Sequence, residues 1–388
     1  MPRLRSRPQL SSLLSAVLLL SAAAALLRYP QEVAQAVRSG LSLCANAVIP
    51  SLFPFFVLSA LTVELGLAQP LGRLLKGVMR PLFRVDGAGA CALVLGWIGG
   101  YPVGARTAVG LYRSGQLSRV QTQRLLAFCN NSGPAFILGV VGAGVFSSTW
   151  AGLLLYGVHI AASVCVGILF RFYGSRDTDV PLSARKTAVH TATFPSALIA
   201  AVTQAINATL NICAFVVLFS AFLRLLTLSG VLTLAVRLSA PFLHPLGIDA
   251  HSATLLLSGL LEITSGVTAL PSATPVHLAL AAFLLGWGGL SVHCQVLSFL
   301  ADSDISPSTY LVGKAAHGIL CALFTGMLTH WFPLPQPVSA YPVQTLSGSA
   351  FTPVVILCTL WVCLLFLPAA RMGGRMKKSG GKAKQNQL

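Results

Sequence analysis

The chain has 388 residues, 55% of them hydrophobic and 9% charged, with a formal net charge of +17 and a mean hydropathy of +0.78. A soluble domain carries about 25% charged residues, so this composition excludes a water-soluble globular protein and describes a chain that crosses a bilayer several times. The positive charge does not point to nucleic acid: Lys and Arg stand in short segments between apolar runs, as in cytoplasmic loops, and not on one basic face.

In chain order, the first element is MPRLRSRPQL followed by SSLLSAVLLLSAAAALL. A basic start, an apolar stretch and small residues mark a signal sequence. Because many apolar runs follow, the stretch is expected to remain as a signal-anchor helix. Runs near the ~20-residue length of a span fall at 10–27, 41–63, 125–146, 151–170, 196–223, 278–300, 311–331 and 351–369. Two more apolar stretches, 88–112 and 250–272, are interrupted by GWIGGYPVG and by SGLLEITSG with Pro271. Gly and Pro in mid-segment favour broken or re-entrant helices.

Basic residues orient these elements. They cluster at the N-terminus (Arg3, Arg5, Arg7), in 64–87 (Arg73, Lys76, Arg80, Arg84), in 113–124 (Arg113, Arg119, Arg124), in 171–190 (Arg171, Arg176, Arg185, Lys186) and in the tail from Arg371 to Lys384. All five read as cytoplasmic, which places both termini inside. Since 64–87 and 113–124 are both basic, 88–112 must enter and leave on one side. It reads as a hairpin from the cytoplasm with its tip at Gly99-Gly100-Tyr101-Pro102. Counting back from the tail leaves 250–272 as a hairpin from outside.

An internal repeat agrees with this. NAVIPSLFPFFVLSALTVELGL from Asn46 aligns without gaps with NATLNICAFVVLFSAFLRLLTLSG from Asn207, pairing Ser59 with Ser220. LGWIGGYPVG then falls opposite SGLLEITSG, and LLAFCNNSGPAF opposite LAAFLLGWGGLSV. The expected fold is an all-α polytopic membrane protein, with about eight transmembrane helices and two opposed re-entrant hairpins in an inverted repeat. The expected parts are the signal anchor (1–40), a first repeat (41–170), a cytoplasmic loop (171–195), a second repeat (196–331), and a last helix with a basic tail (332–388).

The nine cysteines form no C-x-x-C pair and no Cys/His set with metal-ligand spacing; they read as small buried hydrophobes. No nucleophile–base pair is visible, so the sequence gives no sign of an enzyme or of a cofactor.

The motifs PSLFPFFVLS, GYPVGAR, FCNNSGPAFILGVVG, LEITSG and GGLSVHCQV resemble the sporulation integral membrane proteins of the YlbJ (SpoVV) type, within the nucleoside-recognition (Gate) domain group. The resemblance covers roughly residues 40–330. It implies two Gate-like repeats, similar to parts of concentrative nucleoside transporters. It also implies movement of a small anion, dipicolinate (pyridine-2,6-dicarboxylate), across the outer forespore membrane of a spore-forming bacterium. The alternatives are transport of a nucleoside or nucleobase, and a non-transporting scaffold of a sporulation complex.

Candidate binding residues lie at the breaks. Arg106, just past GYPVG, reads as a bidentate carboxylate clamp or as a side chain snorkelling to the cytoplasmic face. Asn130, Asn131 and Ser132 before Gly133-Pro134 read as substrate ligands or as helix cross-links, with Gly100 and Tyr101 facing them. Glu262, followed by Thr264, reads as the carrier of a coupling proton or sodium ion, or as a charge partner of Arg106 or Lys314. His293 and Gln295 follow the Gly288-Gly289 break; His293 reads as a hydrogen-bonded structural group or, from its position opposite the NNSGP segment, as a ligand flanking the same site with Gln295. Lys314 and His317 are expected to snorkel from a helix end.

Overall fold

The computed structural model describes residues 8–66, 68–174, 193–301 and 303–332. The predicted span at 351–369, the basic tail and most of the 171–195 loop lie outside the described residues. Among the described residues every regular element is helical. Four helices are long and apolar enough to cross a bilayer: Thr149–Phe170, Phe194–Leu228, Pro275–Leu300 and Ser308–Trp331. Val231–Leu246 and Ala250–Leu261, bent by 113°, add a fifth if they form one span. Large apolar side chains such as Leu169, Ile199, Leu210, Leu218, Leu323 and Met327 stand exposed along these helices. A surface of that kind suits lipid and not water. The protein is an integral membrane protein that crosses the bilayer more than once.

The chain begins with α1 (Pro8–Arg28) and α2 (Pro30–Leu43), and continues through a π-helical turn at Cys44–Val48 into α3 (Ile49–Glu64). The expected span at 41–63 is therefore the second part of a longer helical run. Helix α4 (Ala68–Phe83) follows, with Arg73, Lys76 and Arg80 among Leu and Val. Helices α5 (Gly89–Gly99) and α6 (Val103–Arg113) are joined by a turn at Gly100–Pro102, the tip expected from the Gly and Pro residues.

Helix α7 (Arg119–Cys129) stops inside the expected span 125–146. The chain is irregular over Asn130–Gly133 and restarts as a π-helical segment, Ala135–Val145. After α8 (Thr149–Phe170) come α9 (Phe194–Leu228), α10 (Val231–Leu243) and α11 (Ala250–Leu261). Helix α12 (Ile263–Thr268) folds back along α11: a Cβ on Gly266 would meet the Gly259 backbone at 2.3 Å. This second hairpin is lopsided, because its return limb has only 6 residues. Helices α13 (Pro275–Trp287) and α14 (Gly289–Leu300) occupy the expected span 278–300, separated at Gly288 and Gly289, whose φ values are +93° and +77°. Helix α15 (Ser308–Trp331) closes the described chain.

Polar caps mark where helices restart. Ser118, Ser148, Asp249 and Thr274 each accept a hydrogen bond from a first-turn N–H, of Gln121, Ala151, Ser252 and His277 respectively. Each satisfies a donor that a helix start leaves orphaned.

Several of the basic segments meet at one end of the molecule. The buried Arg124 guanidinium donates to the carbonyls of Arg84 (2.8 Å), Tyr173 (2.8 Å) and Gly174 (3.4 Å). Arg113 donates to the Phe299 carbonyl. Asp304 accepts from the Tyr112 hydroxyl at 2.6 Å and pairs with Arg119 at 3.6 Å. The Tyr112 hydroxyl holds the Asp304 carboxyl below the usual carboxylate range. Both limbs of the α5–α6 hairpin thus start and finish at this end.

Candidate functional site

Proline sets the break after α7. In a continuous helix the Asn130 carbonyl would accept from the N–H four residues on, but residue 134 is proline and has none. Other groups at the break are served by a side chain of the break itself and by side chains of α8. The Phe128 carbonyl accepts from Asn131 Nδ2 (2.8 Å) and Ser163 Oγ (2.9 Å), and the Ser132 N–H donates to His159 Nε2 (2.9 Å). Side-chain partners of this kind keep irregular backbone tolerable at membrane depth.

The glycines of GWIGGYPVG let the α5–α6 hairpin close over this break. A Cβ on Gly96 or Gly104 would lie 1.8 or 1.9 Å from the Cys129 carbonyl oxygen, so that oxygen is held between two bare Cα positions. At the tip, Gly100 has φ +77° and packs against Gly133. In the second half, Glu262 stands at the break between α11 and α12. Its two carboxylate oxygens accept from the N–H groups of Thr264 (3.0 Å) and Ser265 (2.6 Å). The side chain read as an ion carrier is therefore the N-cap that allows so short a helix to form.

The two hairpins and the two broken helices meet around one cavity. Its polar lining comes from Tyr101, Ser132, Glu262, Thr264, Ser291 and Gln295, joined by the Gly100 and Gly133 backbone. Its apolar walls include Phe136 beside the break, Val48 and Leu52 near α3, and Ile212 and Val216 on α9. Three half-helices of 11 or 12 residues begin here: α6 after Gly100–Pro102, the segment from Ala135 after Ser132-Gly133, and α14, which contributes Ser291. Helix N-termini carry partial positive charge. The free space is ≈ 50 Å³, room for about two waters.

Of the residues singled out in the sequence, Gly100, Tyr101, Ser132, Glu262, Thr264 and Gln295 line this cavity. Asn130, Asn131 and His293 lie buried behind it. Asn130 Nδ2 reaches the Tyr310 hydroxyl at 3.4 Å, and His293 Nδ1 shares that hydroxyl at 2.9 Å. Asn131 ties the break to α8 through Ser163. Arg106 is not among the lining residues. Its guanidinium donates to Gln204 Oε1 (3.3 Å), whose amide in turn donates to Glu64 Oε1 (2.6 Å), linking α6, α9 and α3. No ion pair joins Arg106 or Lys314 to Glu262 among the described residues.

Lys314 and His317 correct the snorkelling expectation, for both side chains are fully buried. Lys314 Nζ donates to the Asn130 carbonyl at 2.8 Å. His317 and Cys321 on α15 also meet His159 on α8, with ligand atoms within 4.8 Å of one another. Spacing along the chain concealed this cluster because its members come from two helices. Its hydrogen bonds disfavour a metal. His159 Nε2 accepts from the Ser132 N–H, so the ring proton sits on Nδ1, the nitrogen 3.9 Å from the Cys321 sulfur. That nitrogen would have to be bare to bind a metal.

Comparison with known proteins shows the family. The chain is 35% identical over 352 residues to the sporulation integral membrane protein YlbJ of Bacillus subtilis (strain 168), covering 84% of each chain. The chain belongs to the YlbJ family. The family described as nucleoside recognition (Gate) matches residues 46–208, which in this YlbJ relative includes the α5–α6 hairpin and the break after α7. A solved structure of a CNTnw variant in an intermediate state overlaps 82% of this chain and 86% of its own at 13% identity, with a TM-score of 0.44.

Proposed function

We propose that this membrane protein is a carrier for a small anionic metabolite, and that its cargo during spore formation is dipicolinate. The observation that supports this most is the convergence of three half-helix N-termini on one cavity. Such ends favour anions without a basic side chain, and a carrier can release a ligand held that way. Tyr101 and Phe136 offer aromatic surface for a pyridine ring. The relative's name gives sporulation as the setting; in this reading the membrane is the outer forespore membrane, with the basic end of the molecule facing the cytoplasm.

In this reading the two hairpins are the gates of an inverted repeat and part alternately. A cavity that takes up benzene measures about 150 Å³, so a space of ≈ 50 Å³ must widen before a pyridine ring fits. Substrate carboxylate competes with Glu262 for the Thr264 and Ser265 N–H groups. A proton on Glu262 weakens its hold on them and eases that exchange, which couples transport to protons.

A nucleoside is the second reading. It is favoured by the hydroxyl, amide and carboxylate lining, which suits an uncharged hydrogen-bonding cargo, and by the Gate family's description. Thermal unfolding of the purified protein with each solute separates the two. Dipicolinate is expected to raise the melting temperature, and Gln295→Ala to abolish the rise. Stabilisation by nucleosides alone transfers the site to the second reading. Stabilisation by neither supports a scaffold.

A further inference from the structure

Helix α15 delivers a lysine to the broken backbone of α7. Gly313 makes this approach possible, since a Cβ there would meet the Ala127 backbone at 2.5 Å. The next side chain, Lys314, reaches the Asn130 carbonyl, the acceptor that Pro134 leaves without a helical donor. Its second partner is His317 Nδ1 at 3.3 Å. His317 Nε2 donates to the His159 carbonyl at 2.9 Å, so in the neutral ring Nδ1 is an acceptor and the amine must donate to it. The Tyr101 ring centroid lies 5.5 Å from Nζ, close enough for a cation–π contact.

This is an unusual place for an ammonium group. Lys314 is 0% exposed, and no carboxylate pairs with it among the described residues. A buried charge without a counter-ion costs several kcal/mol. Lys314 is held instead by a carbonyl, an imidazole nitrogen and a ring face, the kind of neutral dipoles that solvate a small cation. On the same broken stretch, the fully buried Asn130 Oδ1 and Asn131 Oδ1 have no hydrogen-bond partner. Carbonyls freed where a membrane helix unwinds are the usual ligands of a coupling Na⁺ in secondary transporters.

We infer that Lys314 fills a monovalent-cation site at the α7 break with a covalently tethered ammonium, so that this chain takes up no Na⁺ there. The oxygens of the site belong to residues 130 and 131, and the amine stands in for the ion. Removing the amine frees the Asn130 carbonyl on a stretch that also carries two unpartnered side-chain oxygens, donors of the kind a small hard cation uses together with water.

Thermal unfolding in detergent tests this without reference to cargo, so its failure would leave the carrier reading standing. Na⁺ is compared with choline at equal ionic strength. Wild-type protein is expected to melt at the same temperature in both. Lys314→Ala is expected to melt lower in choline and to regain about 3 °C or more in Na⁺, saturably, by mass action on the folded state. Lys314→Met, which keeps the volume but no amine, is expected to gain less because its methyl end obstructs the ion. A saturable, Na⁺-specific stabilisation of the wild type would overturn the inference, and this arm needs no variant to fold. A folded Lys314→Ala protein indifferent to Na⁺ would overturn it equally.

Discussion

Two glycines carry much of the geometry at the break. Because Gly96 and Gly104 leave less than 2 Å between an added Cβ and the Cys129 oxygen, Gly96→Ala or Gly104→Ala must push the hairpin off the broken helix. The expected cost is about 3 kcal/mol or more, at the severe end of overpacking. Gly110→Ala, on α6 like Gly104, meets nothing within 4 Å and is expected to be neutral or slightly stabilising. Melting curves of the three variants check both statements. Arg106 supports the opposite kind of expectation from its sequence position. With its guanidinium on Gln204, Arg106→Ala should lose about 1–2 kcal/mol of stability while the dipicolinate affinity of the folded protein stays within about threefold. A tenfold or larger loss of affinity would return Arg106 to the site. The sequence placed Arg106 two residues past GYPVG but did not reveal which neighbour α6 turns toward, and that neighbour, Gln204, lies 98 positions away.

Breaks were more legible than depths at the scale of elements. Gly and Pro announced the turn at Gly100–Pro102, the halt before Pro134 and the bend at Gly288-Gly289, because local backbone chemistry alone dictates them. Lys314 was misread because its depth is set by the packing of α15 on α7 and α13, through contacts such as Gly313 on Ala127 and Gly286 on Gly318. A chain-order pattern does not encode such pairings. The corner between α4 and α5 adds a titratable contact outside the apolar helices. Partial burial works against the ionised Asp86 carboxyl, but hydrogen bonds from Arg80 and the Ala88 N–H outweigh it and hold the carboxyl below its usual 3.8. A carboxyl shifted down on folding adds stability that is complete above the unfolded value and fades as pH falls through the folded one. The melting-temperature advantage of wild type over Asp86→Asn is therefore expected at neutral pH and should shrink below pH 3.8. An advantage unchanged down to pH 2 would mean that the Arg80 contact contributes nothing.

Across the whole molecule, the basic segments and the cavity belong to one scheme. Arg124, Tyr112 and Arg113 bind the 84, 173–174 and 299–304 regions at a single end. Cysteines introduced in 64–87 and 113–124 are accordingly expected to label from the same side of the membrane, and those in 225–250 from the other. Labelling of 64–87 and 113–124 from opposite faces would make 88–112 a full span and remove the hairpin from the scheme. The central claim is that the cavity between the hairpins is the path of a small anion. Uptake of radiolabelled dipicolinate into vesicles containing only this protein tests it most directly. The account predicts saturable uptake well above that of empty vesicles, lost in Gln295→Ala and kept in Arg106→Ala. Uptake equal to that of empty vesicles, by protein shown to be folded and inserted, would contradict it.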